Sequence, residues 1–184
     1  VASLNVREDQ LVEPGQILAQ LDPTKTESDV EESAAKYRAA LAASARLQAE
    51  VNQTPLRFPA ELDPFPELIR AETELYDARR NALEQSLRWI DESLALVKNE
   101  LEINESLTAI GAASNVEVIR LKRQLVELEL KKVEINAEHV VRAREELTKA
   151  NAEVNSLSPV VKGRSDRLAR LTHRSPVRGI VKNI

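Results

Sequence analysis

The sequence VREDQLVEPGQILAQLD, residues 6–22, decides the fold, because a similar pattern returns at the other end of the chain. Short apolar runs alternate with polar turns, so residues 1–22 are predicted to form short β-strands. Pro14 and Gly15 mark a turn, since proline presets one φ angle and glycine permits a positive φ. The stretch LTHRSPVRGIVKNI, residues 171–184, predicts a second strand–turn–strand segment with Pro176 and Gly179 in its turn.

The residues between these two ends are predicted to be mainly helical. Apolar residues recur at spacings of three and four over residues 24–53, 67–110 and 115–158, and the last helix continues to residue 171. Four prolines in residues 54–66 exclude a helix there and predict an extended connector. Pro159 after Ser158 is expected to kink or break the third helix.

Each predicted helix carries an apolar seam, and the third helix carries two. The seam of the first helix consists mainly of small residues: Val30, Ala34, Tyr37, Leu41, Ser44, Gln48 and Val51. The seam of the second is Leu87, Ile90, Leu94, Val97 and Leu101. The clearest stripe of the third helix is Val126, Leu130, Val133, Ala137, Val140, Leu147 and Val154, and the adjacent stripe is Leu121, Leu125, Leu128 and Ile135. Two stripes require two partners, or one partner and a neighbouring subunit. For the Leu121–Ile135 stripe we favour the first helix as the partner.

The helix lengths predict how the chain folds back. At 1.5 Å per residue the second helix spans about 65 Å and the return path from Asn115 about 85 Å. The simplest solution is a long antiparallel hairpin, residues 23–171, with three helices near its base and two at its tip. The tip turn is IGAASN, residues 110–115, with Gly111 and Asn115 as helix breakers. The hairpin is thereby inserted between the two halves, residues 1–22 and 172–184, of one small β-domain.

The composition excludes several classes of protein. Charged residues make up 30% of the chain and aromatic residues 3%, which is typical of a coiled coil and not of a thick globular core. The net charge of −4 is spread over both signs without a basic patch, which argues against nucleic acid as a partner. Cysteine is absent, so disulfides and thiolate metal sites are excluded. No apolar run is long enough to span a bilayer.

The two end segments resemble the halves of a biotinyl/lipoyl-like domain. The run VREDQLVEPGQILAQLD is similar to the first half, with Glu8-Asp9 in place of the common acidic-Gly pair, and RSPVRGIV is similar to the second. A split lipoyl-like domain with a helical insertion is the plan of bacterial membrane-fusion proteins. The proline-bearing connector and the tip sequence IGAASNVEVIRLKRQL resemble most the hemolysin D-type periplasmic adaptors of type I secretion, especially those of the protease, lipase and adhesin exporters.

This resemblance implies a function without bond chemistry and without a cofactor. An adaptor of this kind forms a ring, expected to be hexameric, around an inner-membrane ABC transporter. Its hairpins meet a TolC-like outer-membrane channel, and secreted protein cargo passes through. The chain would then be the periplasmic region of a protein anchored in the inner membrane, with one transmembrane helix upstream of Val1 and a β-rich segment after Ile184.

The resemblance also implies a docking site at the hairpin tip. Some adaptors carry Arg-x3-Leu-x6-Ser/Thr there, for contact with the channel. Leu107 and Ser114 fit that spacing, Ile103 replaces the arginine, and Gly111 lies in the turn. We therefore expect a channel contact through Leu107 and Ser114 without the arginine contact.

Other functions remain open from the sequence. The chain could serve a multidrug efflux pump, act as a structural coiled-coil protein, or be a lipoyl or biotinyl carrier that presents Lys25. Against a carrier, Lys25 precedes a long helix and not a tight hairpin. A metal site at His139 and His173 is disfavoured because they lie far apart in sequence. A hydrolase site at Ser175 is disfavoured because no nucleophile-elbow glycines surround it.

Overall fold

The computed structural model describes residues 3–182, so the outermost residues of both predicted β segments, 1–2 and 183–184, lie outside the described residues. The strands are β1 (Ser3–Leu4), β2 (Leu11–Val12), β3 (Ile17–Gln20), β4 (Thr172–Arg174) and β5 (Gly179–Ile180). The helices are α1 (Thr24–Asn52), α2 (Pro66–Ala109) and α3 (Asn115–Ala169). The chain is thus mainly α-helical with a few short antiparallel strands, which confirms the predicted fold class.

The chain forms two compact units, and α1 and α3 each contribute to both. Unit 1 combines the chain up to Leu41 with the chain from Ala150 onwards, and unit 2 is Ala42–Lys149. These units cut through two helices, so the domain boundaries at residues 22/23 and 171/172 stay predictions.

In unit 1 the two ends of the chain pair with each other. Strand β3 lies between β1 and β4 in one sheet, and β2 pairs with β5 in another. All pairings are antiparallel, with Gln20 opposite Thr172 and Leu11 opposite Ile180. The prediction that two distant β segments form one module is confirmed by these pairings.

Two equivalent turns shape the first half of this β module. In the turns Arg7–Gln10 and Glu13–Gln16, the backbone N–H of the glutamine donates to the carbonyl oxygen of the first residue, at 3.2 and 3.1 Å. The glutamine Oε1 accepts the backbone N–H of that same first residue, at 2.9 and 3.0 Å. The third position has a positive φ, +65° at Asp9 and +81° at Gly15. Aspartate tolerates this conformation better than most residues, so it can stand where glycine is usual.

The second half of the module docks onto the same two turns. The Asp9 N–H donates to the Val181 carbonyl oxygen at 2.9 Å, and the Gly15 N–H donates to the Ser175 carbonyl oxygen at 2.7 Å. The N–H groups of Val181 and Ser175 donate in return to the carbonyls of the two turn glutamines, at 3.0 and 2.9 Å. Each turn is therefore a docking point for the C-terminal segment.

The turn predicted at Pro176 and Gly179, in the C-terminal half of the β module, is only partly confirmed. Pro176 lies in a bend between β4 and β5. Gly179 is the first residue of β5 and pairs with Val12, so its predicted turn role was wrong. A Cβ at Gly179 would meet no atom within 4 Å, and strand pairing, not a positive φ, fixes this position.

Helix α1 begins at a side-chain cap and is fastened to α3 within unit 1. Asp22 Oδ1 accepts the backbone N–H of Thr24 at 3.0 Å and its hydroxyl at 2.7 Å, and these two bonds lower the pKa of Asp22. From α3, Arg164 Nη1 donates to the Asp29 carbonyl oxygen at 2.8 Å and to the Ser33 hydroxyl at 2.5 Å. Ser33 is buried, so this clamp lies inside the α1–α3 contact.

Pro159 does not break α3, contrary to the expectation, because the helix runs unbroken from Asn115 to Ala169. Proline removes one N–H, which leaves the carbonyl of Asn155 without its helical donor. Asn155 is exposed, so water can bind that carbonyl. This lowers the penalty for a proline inside a helix of 55 residues.

In unit 2, α2 and α3 run antiparallel over a heptad seam. The predicted α2 seam is confirmed, since Leu94 and Val97 are buried and Leu87, Ile90 and Leu101 are half-buried. Ion pairs join the two helices at three levels: Glu105–Lys122, Lys98–Glu129 and Asp91–Lys132.

The expectation that the Leu121–Ile135 stripe of α3 packs on the first helix was wrong. Leu121 is fully buried, and the rest of its stripe is half-buried beside α2. The stripe lies along the part of α3 that three ion pairs join to α2, whereas the charges at the end of α1 are linked to α3 at Glu146. In the other, longer stripe Val126, Leu130 and Val133 are exposed, whereas its later members Val140, Leu147 and Val154 are half-buried. The stripe with the larger side chains is therefore the covered one, although its pattern is shorter.

The end of α1 is enclosed on several sides by α2 and α3, and we call this region the three-helix end of unit 2. Ala42, Leu47 and Ala49 are buried there, whereas the predicted seam residue Gln48 is exposed. A single heptad stripe therefore fails for this part of α1. The connector is also not wholly extended, since residues Ala60–Leu62 form a short 3₁₀ helix with Leu62 fully buried.

Candidate functional site

The turn between α2 and α3 begins with a glycine-terminated helix cap. Gly111 has a φ of +75°, and its N–H donates to the Thr108 carbonyl oxygen at 3.0 Å. The Ala112 N–H reaches back to the Leu107 carbonyl oxygen at 2.8 Å. This pair of bonds is a Schellman motif, which satisfies the last carbonyls of α2 and favours glycine at the left-handed position.

Ser114 closes the turn as the N-cap of α3. Its Oγ accepts the Val116 N–H at 3.2 Å, and its carbonyl oxygen accepts the Glu117 N–H at 3.2 Å. Asn115, expected to be a breaker, is instead the first residue of the helix. Ser114 is exposed, and because its Oγ acts as an acceptor in the cap, its O–H can donate to a partner.

Exposed apolar side chains lie on both helices beside this turn, and together we call them the tip surface. Its side chains are 39–77% exposed: Ile103, Leu107, Ile110, Val116 and Ile119. The four predicted site residues, Ile103, Leu107, Gly111 and Ser114, lie in the last two turns of α2 or in the turn itself. Sequence reasoning missed Ile110, Val116 and Ile119, although apolar residues directly beside a helix breaker are a usable signal.

Charged pairs flank the tip surface. Glu105 and Lys122 join α2 to α3 at 2.8 Å. Arg120 Nε donates to Glu117 Oε1 at 3.0 Å, and this hydrogen bond raises the pKa of Arg120. An apolar centre with a charged margin is the usual anatomy of a protein–protein contact. The tip surface therefore has the chemical character of a protein-binding surface.

The three-helix end of unit 2 contains a chain of five alternating charges, which the sequence did not predict. Arg46 donates from Nη1 to Glu50 and from Nε to Glu72, both at 2.6 Å. Arg79 lies 3.4 Å from Glu50 and 2.9 Å from Glu146. The Arg46 and Glu50 side chains are only 5% and 4% exposed. The only sequence signal was their i, i+4 spacing, which is common on solvated faces.

The pKa values at the outer end of this chain are displaced. The hydrogen bond to Glu146 raises the pKa of Arg79, and the same bond lowers the pKa of Glu146. Both groups therefore stay charged across the neutral range. Because opposite charges are matched along three helices, we assign the cluster to holding the helices together.

The alternative sites suggested by the sequence gain no support from the geometry. Lys25 lies exposed in the first turn of α1 and not on a hairpin. The Ser175 hydroxyl is buried and donates to the Val177 carbonyl oxygen at 2.6 Å. His139 lines a cleft of about 440 Å³ beside Tyr76 and Arg80. Among residues 3–182, no three histidine, aspartate or glutamate side chains are grouped to hold a metal ion.

Comparison with solved structures identifies the fold. The chain is similar to the soluble domain of LipC, a membrane fusion protein of a type I secretion system, with a TM-score of 0.70 and 21% identity over 97% of this chain and 86% of that one. It is also similar to the periplasmic adaptor protein EmrA, with a TM-score of 0.44 and 22% identity over 99% of this chain and 62% of that one. No family model and no curated protein matches the sequence. The chain therefore has the fold of a membrane fusion protein's soluble domain.

Within residues 3–182, none of the helices has an apolar stretch long enough to cross a membrane.

Proposed function

We propose that this chain is the periplasmic hairpin region of a hemolysin D-type adaptor in a bacterial type I secretion system. It would link an inner-membrane ABC transporter to a TolC-like outer-membrane channel and perform no bond chemistry. Several copies, expected to be six, would surround the path of the secreted protein. A membrane anchor outside this chain would hold each copy at the inner membrane.

The observation that carries this proposal is the fold shared with the LipC soluble domain over nearly the whole chain. Two further features support it. The β segments at both ends pair into one module, as an inserted hairpin requires. The helical turn far along the chain from that module presents exposed apolar side chains with no partner shown in unit 2.

Docking would use the tip surface and the cap residues. The Schellman cap and the Ser114 cap tie the turn down from both helices, so little ordering entropy is lost on binding. Ile103, Leu107 and Ile110 would be covered by the channel, and the Ser114 hydroxyl would donate a hydrogen bond. Ile103 replaces the arginine of other adaptors, so this contact would depend less on salt.

A substitution at the tip tests the docking proposal. Leu107→Lys places a charge in the tip surface, while a cation in the last turn of a helix is favourable for the helix itself. Secretion into the culture medium should fall at least about tenfold, the consequence of about 1.4 kcal/mol lost from binding. Val160→Lys is the matched control, because Val160 and Leu107 are both 39% exposed. Equal secretion by the two variants at equal helix content would reject the tip as the docking site.

Removal of the whole protein separates the functional classes. An adaptor for protein secretion predicts loss of extracellular protein from the mutant strain. Greater sensitivity to toxic compounds with normal secretion would assign it to an efflux pump instead. A lipoyl or biotinyl adduct on the native protein, detected by mass spectrometry, would assign it to a carrier.

A further inference from the structure

A cleft of about 440 Å³ lies at the three-helix end of unit 2, and the proposed function does not use it. Residues from the end of α1, the start of the connector, α2 and α3 line the cleft, and all of them belong to unit 2. Its volume falls within the roughly 300–1,000 Å³ that is typical of small-molecule sites. From Glu84 in the cleft to Ile103 in the tip surface, α2 makes about five helical turns, so the two regions can bind different partners.

The end of α1 gives one wall of this cleft a fixed shape. Gln53 has a φ of +52°, and the Thr54 N–H donates to the Ala49 carbonyl oxygen at 3.1 Å, which ends the helix as a Schellman motif does. The Tyr76 hydroxyl, from α2, donates to the Thr54 carbonyl oxygen at 3.4 Å. The wall is therefore formed without a ligand.

One part of the cleft is apolar. It is lined by Ala49, Pro55, Leu83 and Tyr76. Ala49 is buried, and Leu83 and Tyr76 are half-buried. An apolar side chain of a ligand would be removed from water here, and an aromatic one could also stack on the Tyr76 ring.

Another part of the cleft carries a donor group and an acceptor group side by side. Arg80 Nε donates to Glu84 Oε1 at 2.7 Å. Among residues 3–182, no hydrogen-bond partner is present for the Arg80 Nη groups, for Glu84 Oε2 or for the half-buried His139 imidazole. Arg80 can therefore bind a carboxylate, and Glu84 can accept hydrogen bonds from an ammonium group.

The charges that line the cleft are balanced. Arg80 and Glu84 compensate each other. Glu50, the other carboxylate of the lining, is paired with Arg46 and Arg79. A ligand with a net charge gains little from such a site, whereas a ligand with one positive and one negative group matches it.

We propose that this cleft binds a free amino acid with a large apolar side chain. The ligand's carboxylate binds Arg80, and its ammonium group binds Glu84. Its side chain packs on Tyr76, Pro55 and Leu83. Both charges of a free amino acid are attached to one carbon atom, as the adjacent guanidinium and carboxylate groups require, whereas a residue at a polypeptide terminus carries only one of them. The inference does not depend on the proposed function.

The test compares four probes by NMR titration of the isotope-labelled chain. L-phenylalanine carries all three groups, L-phenylalaninamide lacks the carboxylate, N-acetyl-L-phenylalanine lacks the ammonium group, and L-alanine lacks the ring. A ligand of this size in an open cleft should bind with a Kd on the order of 1 mM. We expect L-phenylalanine to bind at least about tenfold more tightly than each of the other three probes, because each lacks one contact.

Two variants test the assigned contacts separately. Arg80→Met should remove the preference for L-phenylalanine over L-phenylalaninamide, because no guanidinium remains for the carboxylate. Glu84→Gln should remove the preference over N-acetyl-L-phenylalanine and keep the one over the amide. Arg88→Met is the matched control, since Arg88 is also exposed on α2 but does not line the cleft, and it should keep both preferences. Unfolding would abolish the binding of every probe and would lower the helix content in circular dichroism, so it cannot imitate the loss of a single preference.

Several results would overturn the inference. The natural chain could bind none of the probes or all of them equally, or both preferences could persist in Arg80→Met and Glu84→Gln. Tighter binding of N-acetyl-L-phenylalanine or of L-phenylalaninamide would assign the cleft to a polypeptide terminus instead of a free amino acid. Secretion takes no part in this experiment, so its outcome is independent of the Leu107→Lys test of tip docking.

Discussion

The two ends of unit 2 are held together by different chemistry. At the three-helix end, small residues and a buried chain of alternating charges join α1, α2 and α3. Towards the tip, α2 and α3 pack through an ordinary apolar heptad seam centred on Leu94, Val97 and Leu121. A contact between two helices buries one stripe of side chains on each helix. Where three helices meet, α1 is covered by both α2 and α3, so its long polar side chains Arg46 and Glu50 are buried as well. We infer that stability at the three-helix end depends on pairing of opposite charges, and that stability towards the tip depends on how well apolar side chains fill the seam.

The largest loss of stability is expected at the three-helix end. Arg46→Met leaves the Glu50 carboxylate buried, with Arg79 at 3.4 Å as its remaining ion-pair partner. An uncompensated buried charge typically costs about 3–5 kcal/mol, and we expect a loss in that range in urea unfolding followed by circular dichroism.

Two variants sharpen this expectation. Arg80→Met breaks the exposed Arg80–Glu84 pair and should have little effect on the free energy of unfolding, because solvent screens this pair. Adding Glu50→Leu to Arg46→Met should recover much of the loss, because the stranded charge is then gone. If Arg46→Met and Arg80→Met unfolded alike, the charge chain would not be a stabilising feature.

In the part of unit 2 formed by α2 and α3 alone, the free energy of unfolding should depend on the volume of the buried apolar side chains. Leu121 is fully buried, so Leu121→Ala should reduce the free energy of unfolding by about 3 kcal/mol through lost transfer energy and a cavity. Leu130→Ala, at a site 67% exposed, should change it by less than about 0.5 kcal/mol in dilute chains. A larger loss at Leu130 than at Leu121 would mean that the buried and exposed faces of α3 had been exchanged.

The same contrast explains what the sequence could predict. The α2 seam and the pairing of the two β segments follow from periodicity and turn residues, both of which are local signals. The α3 stripes were ranked wrongly, because the longer Val126–Val154 pattern was given more weight than the larger side chains of the shorter Leu121–Ile135 stripe. The Arg46–Glu50 cluster was invisible, since an i, i+4 ion pair looks the same on a solvated face and in a three-helix contact.

The candidate site was partly predictable for a similar reason. Gly111 and Ser114 are helix-terminating residue types, and both cap a helix. Asn115 is also such a type, yet it lies inside α3, because Ser114 already supplies the cap. Which apolar residues surround the turn depended on the phase of both helices, which the sequence does not fix to within a residue.

A smaller effect on stability is expected from the backbone conformation of the two glycines Gly111, in the turn between α2 and α3, and Gly163, within α3. Gly111→Ala should cost about 1 kcal/mol, because a Cβ there meets no atom within 4 Å but must adopt a φ of +75°. Gly163→Ala, in the helical interior of α3, should instead stabilise by about 0.5–1 kcal/mol. Thermal unfolding of the two variants should therefore shift in opposite directions. A loss in both would show that contacts of the added methyl group, and not helix propensity, decide the effect at Gly163.

The smallest expected effect is the pH dependence at the outer end of the charge chain. Arg79 holds the pKa of Glu146 below its ordinary value of 4.5. A carboxylate with a depressed folded-state pKa stabilises the fold above its unfolded pKa, and this stabilisation is lost as the pH falls through the folded value. Because both side chains are about one-third exposed, the contribution at pH 7 should stay below about 1 kcal/mol. Glu146→Gln should therefore be less stable than the natural chain at pH 7, and the difference should vanish once the pH lies below both pKa values. Glu127→Gln, at an exposed site on the same helix, should lose little stability at either pH, and a gap for Glu146→Gln that persists in acid would show that shape and not charge makes this contact.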